Sequence, residues 1–415
     1  MESIVPSLQA ANVAAIHIRN LSDEGRRKLL LDLSDELLAN TEIIIAENHN
    51  DLVRMDDANP KKDRLLLNAQ RIKDIATATK DVSGLDDPLD KILYEYTPDN
   101  GISIQKITVP LGVVGVIYEA RPNVTVDVAA LCLRGGNAVV LRGGSDAEAT
   151  NRILVKIIHK VLESHSLPTD IVTLLPTDRK HIKTLLEAEK YIDIIIPRGS
   201  QELIDYVRTH SRVPTIETGA GVCHTYVEGS ADVEMAARIV VNAKTQRPSV
   251  CNALDTILVD NSIAPNFLPA IIQGFLDFSV EIYADEFSYT ILKNKDYPYL
   301  HKATDSSFGI EYLSQKCSVK CVHDIEEALQ HIYKYSSRHS EAIVTEDTRK
   351  AERFLNDVDA AAVYLNASTR FTDGGVFGLG AEIGISTQKL HARGPFALEK
   401  LVTEKWVIHG SGQIR

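Results

Sequence analysis

Apolar residues in the first 80 positions of the chain recur at helical spacing. Ser22, with Asp23 and Glu24 behind it, is typical of a helix N-terminus, and the leucines that follow share one face, at Leu29, Leu30, Leu33 and Leu37. Between residues 94 and 110 the pattern changes to alternation around the turn residues Pro98 to Gly101. The sequence therefore predicts a helical region followed by a hairpin-like pair of strands.

From Val109 onward, short apolar runs alternate with amphipathic segments. Apolar runs at 113–118, 137–141, 171–174 and 192–196 are each separated by a helical pattern. This order predicts βαβ units and a parallel sheet with right-handed crossovers, hence a doubly wound α/β domain. A second α/β section begins after Gly221 and continues to about residue 364, and the tail from 401 to 415 reads as another strand.

Composition narrows the class of protein. At 415 residues the chain is longer than one hydrophobic core usually supports, and no apolar run is long enough to span a bilayer. The N-terminus lacks the pattern of a secretory signal, and an odd number of scattered cysteines favours reduced thiols, so we expect a cytoplasmic protein without membrane partners. The net charge of -12 argues against a general nucleic-acid binder. An anionic small molecule could still bind a local basic pocket.

The most informative segment runs from Asn242 to Val259 and contains Cys251. Lys244 and Arg247 place positive charge close in sequence to the sulfur, and positive charge favours the nucleophilic thiolate. Equally, a free cysteine is often a small buried hydrophobe. On this segment alone, both interpretations stay open.

Two other segments are candidate phosphate sites, although neither common glycine-rich nucleotide motif occurs in the first domain. Gly199 and Ser200 open a helix whose N-terminus could meet a phosphate, or they form an ordinary helix entry. Arg142 lies at the carboxyl end of a buried strand, which is where open α/β sheets bind ligands, and an arginine suits an anionic phosphate. A solvated arginine beside a glycine turn is an equal alternative.

A glycine-rich run from Arg370 to Gly384 predicts a shaped loop. Arg370, Thr372 and Asp373 would offer it a cation, a hydroxyl and an anion for a zwitterionic substrate, although a rigid structural lid is also consistent. The run from Cys317 to His323 matches no common zinc spacing, so no metal site is predicted. His339 and His391 receive no role.

Four stretches of the chain together resemble the γ-glutamyl phosphate reductase family of the aldehyde dehydrogenase superfamily. They are Val109 to Asp127, Asn242 to Asn252, Arg370 to Gly375 and Ser386 to Pro395. The resemblance implies two doubly wound α/β domains plus a β-arm for oligomerisation: a cofactor domain at 1–220, with the arm strands near 94–110, a catalytic domain at 221–395, and a final arm strand at 396–415. A homodimer or homotetramer follows from such an arm.

The resemblance also implies the chemistry. Cys251 would be the nucleophile and Asn123 an oxyanion donor, while Arg142, Gly199, Ser200 and Glu311 would bind NADP(H). By their charge, Lys244 and Arg247 would serve the substrate phosphate as well as the thiolate, and Arg370, Thr372 and Asp373 would bind the remaining polar groups of the substrate. The implied reaction is the NADPH-dependent reduction of L-glutamyl 5-phosphate to L-glutamate 5-semialdehyde and phosphate through a thioester on Cys251, the second step of proline biosynthesis.

Glu217 keeps an alternative open. It lies 34 residues before Cys251 and resembles the general base of hydrolytic aldehyde dehydrogenases. A base that activates water would drain a thioester to the free acid, so we interpret Glu217 as structural or cofactor-adjacent. The alternatives are a hydrolytic dehydrogenase and a non-catalytic structural member of the fold.

Overall fold

The computed structural model describes residues 3–56, 62–119 and 121–415, so Ala120 of the Val109–Asp127 motif lies outside the described residues. The helices are α1 (Val5–Arg19), α2 (Asp23–Ala39), α3 (Thr41–Leu52), α4 (Lys62–Leu65), α5 (Ala69–Gly84), α6 (Asn123–Arg134), α7 (Glu148–Ser164), α8 (Lys180–Leu186), α9 (Gln201–His210), α10 (Val233–Thr245), α11 (Ala264–Leu276), α12 (Glu286–Lys293), α13 (Ile325–Tyr335) and α14 (Thr348–Asp357).

The strands are β1 (Ile92–Tyr96), β2 (Ser103–Pro110), β3 (Val113–Tyr118), β4 (Ala138–Arg142), β5 (Val172–Leu174), β6 (Ile194–Arg198), β7 (Cys223–Val227), β8 (Leu254–Asp260), β9 (Glu281–Ala284), β10 (Leu300–Lys302), β11 (Lys316–Val322), β12 (Ser340–Val344), β13 (Ala362–Leu365), β14 (Gly384–Ser386), β15 (Gly394–Phe396) and β16 (Val402–His409).

The chain forms two compact units. The first contains residues 1–218, 378–384 and 395–415, and the second contains residues 219–377 and 385–394. The first unit thus includes two late segments in addition to the N-terminal half of the chain. The functional division into cofactor and catalytic domains stays a prediction.

The first unit contains a parallel sheet in the order β5-β4-β3-β6. Strands β3 and β4 are buried along their whole length, as their uninterrupted apolar runs predict. The order reverses at β3, and Tyr118, Arg142 and Arg198 end three neighbouring strands. The loops that follow these strands therefore share one edge of the sheet, which is where open α/β sheets bind ligands.

A separate antiparallel sheet in the same unit joins distant parts of the chain. Its order is β1-β2-β16, and Ser103–Pro110 pairs residue by residue with Val402–His409. The two segments expected to form an arm, near 94–110 and 400–415, thus lie in one sheet.

The second unit is built on a seven-stranded parallel sheet in the order β10-β9-β11-β8-β7-β12-β13. Alternate residues of the central strand β8 pack on opposite faces. Ile257 and Val259 belong to a core shared with α10 and α11, whereas Leu258 packs with residues of α13 and α14. Helices therefore cover both faces, which is the doubly wound arrangement expected from the sequence.

Candidate functional site

Cys251 lies in the short connection between α10 and β8 of the second unit, and its side chain is only half-buried. The other four cysteines, Cys132, Cys223, Cys317 and Cys321, are buried. Burial raises the pKa of the Cys317 and Cys321 thiols to about 12, and it raises those of Cys132 and Cys223 as well. Cys251 is therefore the thiol that a substrate can reach.

The main chain of Cys251 packs closely against the residues at the start of β7. A Cβ placed on Gly221 would lie 1.5 Å from the Cys251 carbonyl oxygen, so only glycine fits at this position. The Cys223 thiol donates a hydrogen bond to that same carbonyl at 3.3 Å. The predicted cofactor residue Glu311 belongs to this layer too, because its carboxylate accepts the Gly221 N–H at 3.0 Å. These contacts fix the position of the Cys251 main chain.

One guanidinium group, that of Arg370, lies within electrostatic reach of the sulfur, and a second lies close to Arg370. Arg370 is half-buried and within electrostatic reach of both Cys251 and Arg247, while Arg247 itself is exposed. Desolvation and the nearby Arg247 lower the pKa of Arg370 from its ordinary value, but an arginine remains cationic at neutral pH. The Arg370 Nε donates to Gln246 Oε1 at 3.0 Å, which orients its guanidinium. Two neighbouring cations, one of them within electrostatic reach of a thiol, are suited to an anion.

Lys244 occupies a different environment from the one its sequence position suggested. Its side chain is fully buried, its Nζ donates to the Leu254 carbonyl at 2.7 Å, and it lies 3.6 Å from Asp255. Desolvation raises the pKa of Asp255 to about 6, and Lys244 opposes that rise. In this structure Lys244 stabilises a buried carboxylate and has no exposed surface for a substrate phosphate, so its placement gives the predicted phosphate contact no support.

The glycine-rich loop is shaped by its own polar residues. The Thr372 hydroxyl is buried and lies 2.6 Å from Ser340 Oγ and 2.7 Å from Tyr364 Oη. Asp373 Oδ1 accepts hydrogen bonds from the backbone N–H groups of Gly375 and Val376. Thr372 and Asp373 thus hold the loop that carries Arg370, while a direct contact with substrate stays a prediction for both.

In the first unit, Glu119 follows β3 at the edge where ligands are expected. Its carboxylate accepts the Ser200 N–H at 3.1 Å and would lie 2.8 Å from a Cβ on Gly199. Ser200 also caps α9 through its side chain. The Glu119 carboxylate therefore occupies the position at this helix N-terminus where a phosphate was predicted. The sequence patterns did not single out Glu119.

Arg142 ends β4 with its side chain buried. Its guanidinium donates to the Thr177 carbonyl at 2.5 Å, and desolvation followed by repulsion from Arg179 lowers its pKa. A cavity of about 180 Å³ lies alongside, between Gly143 and the segment Leu174–Thr177. The predicted cation is thus at the carboxyl edge of the sheet, with Arg179 as a second cation that the sequence reasoning missed.

Asn123 is the first residue of α6, and its side chain is hydrogen-bonded to a residue one turn further along the helix. Its Nδ2 donates to Asp127 Oδ2 at 2.9 Å. Desolvation raises the pKa of Asp127 to about 6, although the hydrogen bond from Asn123 and the charge of Arg198 oppose the rise.

Glu217 also belongs to the first unit. Its side chain is largely buried, and its carboxylate lies 3.9 Å from the Arg208 guanidinium.

Within residues 3–56, 62–119 and 121–415, no three His, Cys, Asp or Glu side chains are grouped as metal ligands. Over the same described ranges, no helix has the length and apolar character needed to cross a bilayer.

Comparison with known proteins identifies the family of this chain. The model of the aldehyde dehydrogenase family matches residues 3–287. A γ-glutamyl phosphate reductase from Pelodictyon phaeoclathratiforme is 51% identical over 416 residues, covering 100% of this chain and 99% of that protein. The chain belongs to the aldehyde dehydrogenase family, in its γ-glutamyl phosphate reductase branch. The resemblance stated from the four sequence stretches is confirmed.

Solved structures share the fold of this chain. The crystal structure of γ-glutamyl phosphate reductase from Thermotoga maritima matches with a TM-score of 0.94 and 38% identity, covering 100% of both chains. An engineered glycolyl-CoA reductase with bound NADP+ shares the fold at a TM-score of 0.70 and 15% identity, covering 98% of this chain and 96% of that one. The predicted aldehyde dehydrogenase-like α/β fold is confirmed.

The close approach of Gly221 to Cys251 yields a direct test. Gly221→Ala should lower the free energy of unfolding by about 1–3 kcal/mol, because its methyl group overlaps a main-chain carbonyl that cannot rotate away. It should also change the rate at which iodoacetamide alkylates Cys251. Urea unfolding and peptide mass spectrometry measure the two effects.

Gly219→Ala is the matched control, since its nearest neighbour, Thr387 Oγ1, would lie at an ordinary 3.5 Å. The control should stay within about 0.5 kcal/mol of the parent protein. Equal effects of the two substitutions would show that the Gly221 contact does not hold Cys251 in place.

Proposed function

We propose that this chain reduces L-glutamyl 5-phosphate to L-glutamate 5-semialdehyde with NADPH and releases phosphate, the second step of proline biosynthesis, in the cytoplasm. The observation that carries the proposal is the half-exposed Cys251 with Arg370 within electrostatic reach and Arg247 close to Arg370. Its γ-glutamyl phosphate reductase relatives, about half identical over the whole chain, support the choice of substrate.

The residues of the second unit suit an acyl phosphate. The Cys251 thiolate attacks the acyl carbon, the C–O bond to phosphate breaks, and a thioester forms while phosphate leaves with the bridging oxygen. Arg247 and Arg370 stabilise the departing anion, since guanidinium groups match phosphate oxygens in geometry and charge. The proposed oxyanion donors are the Cys251 backbone N–H and the Asn123 amide, the latter on the strength of the family resemblance.

When bound, NADPH would supply the hydride that reduces the thioester. The hemithioacetal that results expels the Cys251 thiolate and releases the aldehyde. Membership of the aldehyde dehydrogenase family supports a nicotinamide cofactor, and the preference for NADP(H) is part of the proposal.

Arg142 and Arg179 are the proposed partners of the phosphate groups of such a cofactor, because Arg142 ends β4 at the carboxyl edge of the sheet and Arg179 lies within electrostatic reach of it. Gly199, Ser200 and Glu311 complete the proposed set. Binding of a pyrophosphate at the α9 N-terminus requires the Glu119 carboxylate to move from Ser200.

The antiparallel sheet supports assembly into a homodimer or homotetramer. Six large apolar side chains on β1 and β16 are exposed in the single chain, namely Ile92, Leu93, Tyr94, Tyr96, Trp406 and Ile408. Grouped exposed apolar residues are typical of protein–protein contact surfaces. We therefore propose that this sheet is the oligomerisation arm.

The reverse reaction tests the function. With glutamate 5-semialdehyde and NADP+, the protein should form NADPH beyond one equivalent per Cys251 only when inorganic phosphate is present, because phosphate must accept the acyl group before Cys251 can react again. Cys251→Ser should abolish NADPH formation while cofactor binding persists. Strong turnover without phosphate would instead favour a hydrolytic dehydrogenase using Glu217, and a folded protein that turns over neither way would favour a structural member of the fold.

The pairing of Asn123 with Asp127 predicts a pH dependence. Above pH 6 the Asp127 carboxylate is ionised and accepts the Asn123 amide strongly; below pH 6 it is protonated and accepts it more weakly. We expect kcat to fall as the pH drops through about 6. In Asp127→Asn, which cannot ionise, this limb of the kcat profile between pH 5 and 8 should be absent. An unchanged limb would remove Asp127 from the explanation.

A further inference from the structure

Asn252, directly after the nucleophile, joins two parts of the second unit. Its side chain is 96% buried, and its Nδ2 donates to the Thr372 carbonyl at 2.8 Å and to the Arg370 carbonyl at 3.3 Å. In the opposite direction, Thr369 Oγ1 donates to the Asn252 carbonyl at 2.8 Å. Three hydrogen bonds therefore tie the residue next to Cys251 to the segment that carries Arg370.

The same segment has a second attachment that does not involve the nucleophile. The Thr372 hydroxyl is bonded to Ser340 on β12 and Tyr364 on β13. This attachment to the sheet should survive the loss of Asn252. Removing the Asn252 amide would thus free Arg370 relative to Cys251 while the loop stays joined to the sheet.

An asparagine is a costly residue to place here for packing alone. Its Oδ1 is buried with no hydrogen-bond partner among the described residues. Unpaired buried acceptors carry a desolvation penalty that an apolar side chain of similar size would avoid. The benefit that offsets this penalty is the two bonds made by Nδ2.

We propose that Asn252 is a positioning residue that holds Arg370 at a fixed distance from Cys251, so that the phosphate-binding cation and the nucleophile move as one rigid body. The role of Arg370 as the phosphate cation rests on the proposed function; the coupling of Arg370 to Cys251 does not. Displacements of about 1 Å can cost roughly 100-fold in a reaction of this kind, so such a coupling matters for turnover.

The coupling can be measured without turnover by comparing two alkylating reagents. Iodoacetate is an anion and iodoacetamide is neutral, but both react with the same sulfur. Cations near a reactive group raise the local concentration of anions by roughly 10-fold or more. In the parent protein, Cys251 should therefore favour iodoacetate over iodoacetamide relative to a free thiol.

Asn252→Ala should reduce that preference by about tenfold, as Arg370 drifts from the sulfur. In the phosphate-dependent oxidation of glutamate 5-semialdehyde, it should also raise the KM for phosphate while the KM for NADP+ stays within about twofold. Asn261→Ala is the matched control, an asparagine of the same unit whose Nδ2 contacts His323 instead. It should leave both readouts unchanged.

Thr369→Val is a second, milder variant in case Asn252→Ala does not fold, because it keeps the side-chain shape and removes only the hydrogen bond to Asn252. It should shift the alkylation preference in the same direction. An unchanged preference in the folded variants would overturn the proposal, as would a rise in the KM for NADP+ equal to that for phosphate. If the parent protein shows no phosphate-dependent oxidation, the proposed function fails, and the alkylation preference alone decides the role of Asn252.

Discussion

The second unit depends on one steric constraint, the absence of space between Gly221 and the carbonyl of Cys251. A single methyl group on Gly221 would lie 1.5 Å from that oxygen. Because the two main chains touch here, the start of β7 and the connection before β8 cannot move independently. Cys223 and Glu311 add hydrogen bonds to the same layer. The half-exposed thiol of Cys251 is thereby presented from a rigid base.

The cations near this thiol show how far sequence distance can mislead. Lys244 is seven residues from Cys251, yet it is the last-turn lysine of α10 and its ammonium is buried against Leu254 and Asp255. Arg370 is more than a hundred residues away and lies within electrostatic reach of the sulfur. The helix periodicity of α10 directs Lys244 to the core, whereas the segment after β13 brings Arg370 within electrostatic reach of Cys251.

The fold was largely predictable because its signals are local. Alternating apolar runs and helical patterns indicated βαβ units, and the observed β3, β4 and β8 follow those runs. Gly221, Asn252 and Glu119 escaped notice as site residues because their importance comes from contacts with distant segments. Nothing in the short pattern around Asn252 shows that its amide bonds Thr372, 120 positions away. Such contacts become visible only when the chain is folded.

The central claim is that Cys251 carries a glutamyl thioester, and its accumulation can be observed directly. The protein is mixed with glutamate 5-semialdehyde and NADP+ without phosphate, quenched in acid, and digested for peptide mass spectrometry. A thioester route predicts a glutamyl adduct on Cys251 that disappears when phosphate is added before the quench and never forms in Cys251→Ser. Formation of NADPH with no adduct on Cys251, or with the adduct on another residue, would contradict it.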